Sequence, residues 1–312
     1  MPPKVSICIT TYNRVSYLNR LLDSIAEQTF RDFDIWITDN SETTVVKDFV
    51  ASYQQKLPIN YHKNVPAVGM TENWNTCMAM AAGEWIKLIH DDDWFNGPDA
   101  LAGFMSMTDK GSRFIFCARQ DYNEDTREYK EVKISKERFD EVARYPLLLF
   151  ADNYLGQPSG LMFHSSVKEY YDPRLKWYVD IEYYLSFLKK ESAVYMNAPL
   201  INVSYNDSQM TNYCINNPQV VVPEFFYVLK KHKIVNTDNI VVYDAWWRLF
   251  RNVGVRGVAE VYKFCPDARI PDQVKAIIED QQQINAGLLK KGVVSKALMT
   301  LSYIRNKNKG KR

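Results

Sequence analysis

Three consecutive carboxylates, Asp91, Asp92 and Asp93, follow the apolar run Trp85-Ile86-Lys87-Leu88-Ile89 with only His90 between. A buried strand that ends in such acids is electrostatically expensive, because like charges this close do not ionise together cheaply without a cation. The fold must therefore deliver the end of this strand to a rim that a counter-charge can reach. A divalent metal is one such counter-charge: hard carboxylate oxygens suit Mg²⁺ or Mn²⁺, which fill their remaining positions with water and phosphate oxygens. Extended backbone would put Asp91 and Asp93 on the same side, where they share one ion or its hydration shell. The alternative is a solvated acidic turn, helped by Asn96-Gly97-Pro98 just beyond.

This strand belongs to a series. Val5 to Thr10 is β-branched and apolar, and Tyr17, Leu18, Leu21, Leu22 and Ile25 then recur at helical spacing. Phe33 to Thr38 is a second strand ending at Asp39-Asn40-Ser41, and Val45, Val46, Phe49, Val50 and Tyr53 mark the next helix. Ile59-Asn60-Tyr61 is a brief strand, and a helix from about Thr71 to Ala82 is closed by Gly83 before the strand that carries the acids. A helix starts near Pro98, and Arg113 to Cys117 reads as a further buried strand. Strands alternating with helices call for a mainly parallel sheet covered on both faces. Ligands of such sheets bind outside the carboxyl ends of the strands. Thr10-Thr11, Asp39 and Asp91 to Asp93 all lie at such ends, which favours the metal over the solvated turn.

Beyond this, about Gln120 to Arg144 is polar and charged (Asp121, Glu124, Asp125, Arg127, Glu128, Lys130, Glu131) and reads as a surface excursion. Structure resumes at Gly160-Leu161-Met162-Phe163, and a helix runs from about Asp180 to Lys190. From about Asn216 the pattern is helical throughout. A chain of 312 residues suits one catalytic domain with an appendage. A formal net charge of +2 gives no reason to expect nucleic acid as a partner. The five scattered cysteines, Cys8, Cys77, Cys117, Cys214 and Cys265, read as reduced thiols in a cytosolic protein, with Cys8 a packing residue. Met1-Pro2-Pro3-Lys4 runs straight into a strand without a signal peptide. No segment approaches the roughly 18 apolar residues of a membrane span, which argues against a transmembrane polymerase.

Four pieces, in order, carry a resemblance: Val5-Ser6-Ile7-Cys8-Ile9-Thr10-Thr11-Tyr12-Asn13-Arg14; Phe33 to Ser41; Asn73-Trp74-Asn75 through Ala82-Gly83-Glu84-Trp85; and His90 to Trp94. Together they resemble family 2 glycosyltransferases, over about residues 4 to 110 and more patchily to about 212. The resemblance implies a GT-A type nucleotide-binding α/β fold with helices on a central, mainly parallel sheet. Residues 1–215 would form that domain, with a nucleotide-binding half of about 1–118 and an acceptor half of about 119–215. Residues 216–312 would be a helical C-terminal extension.

Position by position, the resemblance places Thr11 and Tyr12 where the nucleotide lies and makes Asp39 the acceptor for a uracil or thymine ring N–H. A cap for the following helix is the plain alternative for Asp39. Asn73 and Asn75 fall where relatives pack or contact the nucleotide, and core or helix-surface roles suit them equally. Asp91 or Asp92 would hold the ribose and Asp93 the metal, Mn²⁺ or Mg²⁺, with Asp91 as its partner. His90 is the departure, since many relatives carry another acid there. The general base for the acceptor hydroxyl would be Asp180 in Trp177-Tyr178-Val179-Asp180-Ile181-Glu182, with Glu182 as fallback; the competing role is an ordinary acid at a helix N-terminus. One base and direct displacement imply inversion at the anomeric carbon. Gln157-Pro158-Ser159-Gly160 resembles a turn near the acceptor, and Asn206-Asp207-Ser208-Gln209-Met210-Thr211 a flexible lid lacking the usual cation. Gln-x-x-Arg-Trp, the mark of processive relatives, does not occur, so one sugar per encounter is expected.

The implied function is transfer of one sugar from a UDP- or dTDP-sugar to a glycan or lipid-linked acceptor in surface polysaccharide or glycoconjugate assembly. Nucleotidyl transfer onto sugar phosphates is a second class, but Thr10 to Arg14 lacks its glycine-rich loop; a catalytically inactive sugar- or nucleotide-binding module is a third. From Gln281 to Arg312 there is no acid, yet Lys290, Lys291, Lys296, Arg305, Lys307, Lys309, Lys311 and Arg312 are present. Val293, Ala297, Leu298, Leu301 and Ile304 repeat there at helical spacing. Such a tail suits an anionic membrane surface, where each nearby Lys or Arg contributes about 1 kcal/mol, or else a solvated end. The expected location is cytoplasmic, peripheral on the inner face of the plasma membrane, and the tail from about Gly287 is expected to be dispensable for donor chemistry.

Overall fold

In the computed structural model of the protein, residues 2–150, 152–205, 210–234 and 239–309 are described. They divide into two units: Met1–Pro146, Tyr154–Arg174 and Glu182–Gln209 form the first, and Leu147–Asn153, Leu175–Ile181 and Met210–Arg312 the second. The lid segment expected at 206–211 falls mostly on 206–209, outside the described residues.

The first unit is built on a sheet whose earliest strands follow the apolar runs. β1 (Val5–Thr11) is buried along its whole length. It pairs in parallel with β2 (Phe33–Asp39), which pairs in parallel with β3 (Ile59–Lys63). On its other side β1 pairs in parallel with β4 (Trp85–His90). Helix α1 (Val15–Ala26) turns Leu18, Leu21, Leu22 and Ile25 onto one face of these strands, against Ile7, Ile9, Ile35 and Ile37. α2 (Val45–Tyr53) adds Val46 and Val50 to the same core. α3 (Met70–Met80) covers the opposite face, where Cys77 Sγ meets the carbonyls of Ile9 and Trp36. Cys8 packs there too, and all five cysteines are free thiols.

Past β4 the sheet becomes mixed. β5 (Trp94–Phe95), β6 (Phe114–Asn123), β7 (Tyr129–Val132), β8 (Leu161–His164) and β9 (Ala193–Tyr205) give the order β3-β2-β1-β4-β8-β6-β9-β5, with β7 beside β6. β8 runs antiparallel to both β4 and β6, whereas β6 and β9 are parallel. The parallel pairing expected of most of the sheet joins its first four strands and the β6–β9 pair. The excursion expected over 120–144 is instead ordered: β6 continues to Asn123, turns back through β7, and leads to α4 (Lys136–Arg144), capped by Ser135. Its charges disguised a hairpin, since β7 alternates against β6 with a mostly exposed face.

The second unit is helical, with Pro218–Lys231, Ile240–Val253, Asp272–Gln282 and Gly292–Asn306 as its longer elements. Phe225, Tyr243, Trp246, Trp247, Phe250, Ile277 and Met299 are buried in it. No helix among the described residues is long and apolar enough to cross a membrane.

Candidate active site

The strand register aligns the polar ends. Thr11 pairs with Asp39, Asp39 with Lys63, and Thr10 with His90, so the ends of β1 to β4 form one rim. Asp39 is fully buried; its Oδ1 accepts the Ser41 N–H at 2.7 Å and its Oδ2 the Tyr61 hydroxyl at 2.6 Å. It does not cap α2, whose N-cap is Thr44. Asn73 is also buried and holds the strand ends together: Asn64 Nδ2 donates to its Oδ1 at 2.7 Å and to Asn40 Oδ1 at 2.8 Å. Asn75 points elsewhere, exchanging two hydrogen bonds with the backbone of Tyr171 at 2.7 and 2.9 Å. Thr11 is buried at the strand end, and Tyr12 projects from it, 54% exposed.

After His90 the extended backbone gives way to a tight turn closed by Asp93 N–H to His90 O at 3.1 Å. The alternation expected of Asp91 and Asp93 is lost in that turn. Asp91 and Asp92 face Arg14, whose Nη1 lies 3.4 and 3.0 Å from them. His90, Asp92 and Asp93 instead bring one ligand atom each to within 4.8 Å of one another. The Asp93 Oδ1 accepts the Ser204 N–H at 3.1 Å, which ties the turn to β9.

All three aspartates are buried, so the charge problem posed by the sequence is real. Burial first, then the Asp92 charge, pushes the Asp91 carboxyl up to about 7, against the pull of Arg14 and Thr11. The same two causes push Asp93 well above the carboxylate range. Burial lowers His90 to about 4, leaving a neutral ring stacked on Trp74 with centroids 4.7 Å apart. Its Nε2 is buried with no hydrogen-bond partner among the described residues. A neutral imidazole and two carboxylates within 4.8 Å of one another fit a divalent metal, and this clustering is the observation that carries the fit.

Several residues here escape sequence reasoning. Arg14 supplies part of the counter-charge the acids require. Lys87, fully buried within β4, points its ammonium at the carbonyls of Ser159, Leu88 and Leu161, the last two at 3.2 and 3.3 Å. Burial lowers it to about 8. Ser159, from the turn read as near the acceptor, accepts the His90 N–H at 3.0 Å. Arg20 donates to the Asp92 carbonyl at 3.0 Å and to Glu124 at 2.7 Å while lying 3.8 Å from the Trp94 ring centroid. Glu124 also accepts the Ser204 hydroxyl at 2.6 Å, so one acid of the supposed surface excursion braces the carboxylate turn. A lysine inside an apolar strand was the one visible signal; the others depend on long-range pairing.

Asp180 belongs to the second unit, near the start of α5 (Val179–Leu188). Withdrawal from water pushes its carboxyl up to about 7. Within that unit, the buried Glu224 accepts the backbone N–H groups of Lys176, Trp177 and Tyr178 at 2.7, 2.9 and 3.0 Å, fixing the approach to Asp180. Tyr178 packs on Phe150 and Phe225. Glu182 is fully buried with its Oε1 on Ser186 Oγ at 2.9 Å, a core position unsuited to receiving an acceptor.

Comparison with known proteins adds the family. The profile of glycosyl transferase family 2 matches residues 6–170. An uncharacterised glycosyltransferase of Rickettsia typhi is 26% identical over 222 residues, covering 69% of this chain and 68% of its own. The GalNAc(5)-diNAcBac-PP-undecaprenol β-1,3-glucosyltransferase of Campylobacter jejuni is 27% identical over 117 residues, 36% of this chain and 37% of that one. Among solved structures, S. aureus TarS in complex with UDP-GlcNAc superposes with a TM-score of 0.65 at 16% identity, over 98% of this chain and 91% of that chain. A mannosyltransferase from Pyrobaculum calidifontis with GDP-Man and Mn²⁺ gives 0.58 at 14% identity, over 98% and 87%. These likenesses match the first unit's sheet and the C-terminal helices to the GT-A type of fold.

Proposed function

We propose, for a chain that belongs to glycosyl transferase family 2, a metal-dependent, inverting transfer of one sugar from a UDP- or dTDP-sugar to a glycan or lipid-linked acceptor. The observation that carries this reading is the gathering of His90, Asp92 and Asp93 on the strand-end rim that also bears Thr11 and Asp39. The solved complexes with UDP-GlcNAc and with GDP-Man and Mn²⁺ support a nucleotide-sugar and a divalent metal. The Campylobacter relative, named for an undecaprenol-linked substrate, supports the acceptor class.

In this reading Asp39 accepts the ring N–H of uracil or thymine. Ser41 and Tyr61 each use one lone pair of its carboxylate and hold it in place, and further acceptor capacity remains. Thr11 and Tyr12 flank the nucleotide, while Asn73 and Asn75 act by shaping its surroundings. Asp91 or Asp92 receives the ribose hydroxyls, oriented by Arg14. His90, Asp92 and Asp93 would hold Mn²⁺ or Mg²⁺, with Asp91 the remaining acid of the turn. Such an ion, when bound, neutralises charge on the departing diphosphate. Asp180 takes the proton of the acceptor hydroxyl as its oxygen bonds to the anomeric carbon. The bond from that carbon to the diphosphate breaks on the opposite face, and its electron pair leaves with the diphosphate.

Calorimetry tests this directly. UDP or dTDP is expected to bind at least about tenfold more tightly in Mn²⁺ than in EDTA, about 1.4 kcal/mol. Asp93→Ala is expected to abolish that difference while leaving the circular dichroism spectrum unchanged. Identical affinities in metal and chelator would overturn the metal-dependent reading.

A further inference from the structure

We propose that helix Gly292–Asn306 docks flat on an anionic lipid bilayer through its outward apolar stripe. The helix is inverted relative to an ordinary surface helix. It buries Ser295, Met299, Ser302 and Asn306. Val293, Leu301 and Ile304 are left 87%, 64% and 59% exposed. Apolar positions 293, 297, 301 and 304 share one side, since three- and four-residue steps stack on a helix face.

Polar bonds within the second unit fix this orientation. Ser295 Oγ accepts the Trp247 ring N–H at 3.0 Å, and Ser302 Oγ lies 2.6 Å from the Tyr243 hydroxyl. Ser302 and Asn306 both donate to Asp280 Oδ2, at 2.5 and 2.9 Å. Ser295 Oγ, Ser302 Oγ and the Asn306 Nδ2 all have partners, so turning the apolar stripe inward would orphan several groups at once. The stripe is therefore held outward by the unit's own interior.

Charge selects the occupant. Lys296 and Arg305 pair with Asp244 and Asp280 at 3.0 and 2.6 Å. Lys290 and Lys291 at one end, and Lys307 and Lys309 at the other, form no ion pair among the described residues. No acid occurs from Gln281 to the end of the chain. A second copy seated on the same stripe would bring lysine ends toward lysine ends with nothing to offset them. A negatively charged headgroup layer accepts both ends while its acyl boundary takes Val293, Leu301 and Ile304. At about 22 Å, fifteen residues lie along an interface rather than across it.

This inference does not depend on the transfer reading and is tested apart from it, by co-sedimentation of the full chain with vesicles. One set is phosphatidylcholine and the other contains about 30 mol% phosphatidylglycerol. The chain is expected to sediment with the anionic set and be released by salt, because the attraction decays over about 8 Å at physiological ionic strength. Leu301→Asp with Ile304→Asp, both on exposed side chains, is expected to weaken binding at least about tenfold. So is the charge reversal Lys290→Glu, Lys291→Glu, Lys307→Glu and Lys309→Glu, while nucleotide affinity and melting temperature stay at wild-type values. Wild-type protein that ignores anionic vesicles, binds both sets equally, or buries the stripe in a dimer by ultracentrifugation would overturn the proposal.

Discussion

Outside the carboxylate turn, Asp180 departs strongly from the ordinary chemistry of its type. Its carboxyl is pushed up to about 7 by withdrawal from water, close to the working pH that suits a general base. The sign follows from the direction. A raised pKa means the folded chain holds this proton where the unfolded chain has lost it. The Asp180 contribution to stability is therefore fully present at low pH, declines as pH rises from about 4, and levels off above about 7. In the proposed role as base, activity moves the other way, because only the ionised form accepts a proton. We expect kcat/KM to rise with pH through an apparent pKa near 7, and Asp180→Asn to lower transfer by about 10² to 10⁴-fold with donor binding retained. A variant that transfers at the wild-type rate, or keeps the acid limb of the profile, would place the base elsewhere. The type and position of this acid were legible in sequence, at the start of an amphipathic helix. Its support was not: Glu224 lies more than forty residues away and meets the preceding amides only when the second unit is assembled.

Among the elements, β1 and β4 do most to place the rim, and Gly83 governs how closely they approach. In sequence Gly83 reads as the stop of a helix. In the structure that helix ends at Met80 with Ala81 as its cap, and Gly83 donates its N–H to Ser6 Oγ at 2.9 Å. A Cβ at Gly83 would sit 2.5 Å from Ser6 N and 2.9 Å from the Val5 carbonyl carbon, both backbone atoms that cannot swing aside. Gly83→Ala is therefore expected to cost about 1 to 3 kcal/mol, the usual range for overpacking, and to weaken nucleotide binding by shifting Thr11 against the carboxylate turn. Urea unfolding measures the first effect and calorimetry the second; an unchanged midpoint would mean that the strands part without cost. The parallel half of the sheet was readable because each apolar run ends in a polar residue at one rim. In the mixed half the start of β6 and the run at 161–163 were readable, but β7 and β9 were not. β7 carries a mostly exposed, charged face, and β9 pairs with β6 across a register shift that local periodicity cannot reveal.

For the molecule as a whole, the period of the last helix was plain in sequence, but the side it presents inward was not, because burial followed hydrogen-bond partners rather than apolarity. The expectation that the chain from about Gly287 is dispensable changes accordingly. Leu289 and Met299 are buried, and Ser295 serves the Trp247 ring, itself buried. Ser302 and Asn306 meet Asp280, and Gln281, which donates to the Trp247 carbonyl at 2.7 Å, sits in the same interior. Removal of residues 287–312 would take two large apolar side chains, Leu289 and Met299, out of the core, each worth about 2 to 5 kcal/mol when so lost. It would also leave the buried Trp247 ring N–H without its Ser295 partner, at about 1 to 3 kcal/mol. Losses of that size compare with the whole stability of a domain, about 5 to 15 kcal/mol. The truncated chain is therefore expected to melt well below the full chain, with loss of near-ultraviolet signal from Trp246 and Trp247, whether or not lipid is present. Point changes on the outward face, Leu301→Asp and Ile304→Asp, should leave that melting curve in place. A truncated chain with the wild-type curve would show that the helix contributes nothing to the fold, and that its inward polar bonds do not hold the apolar stripe outward.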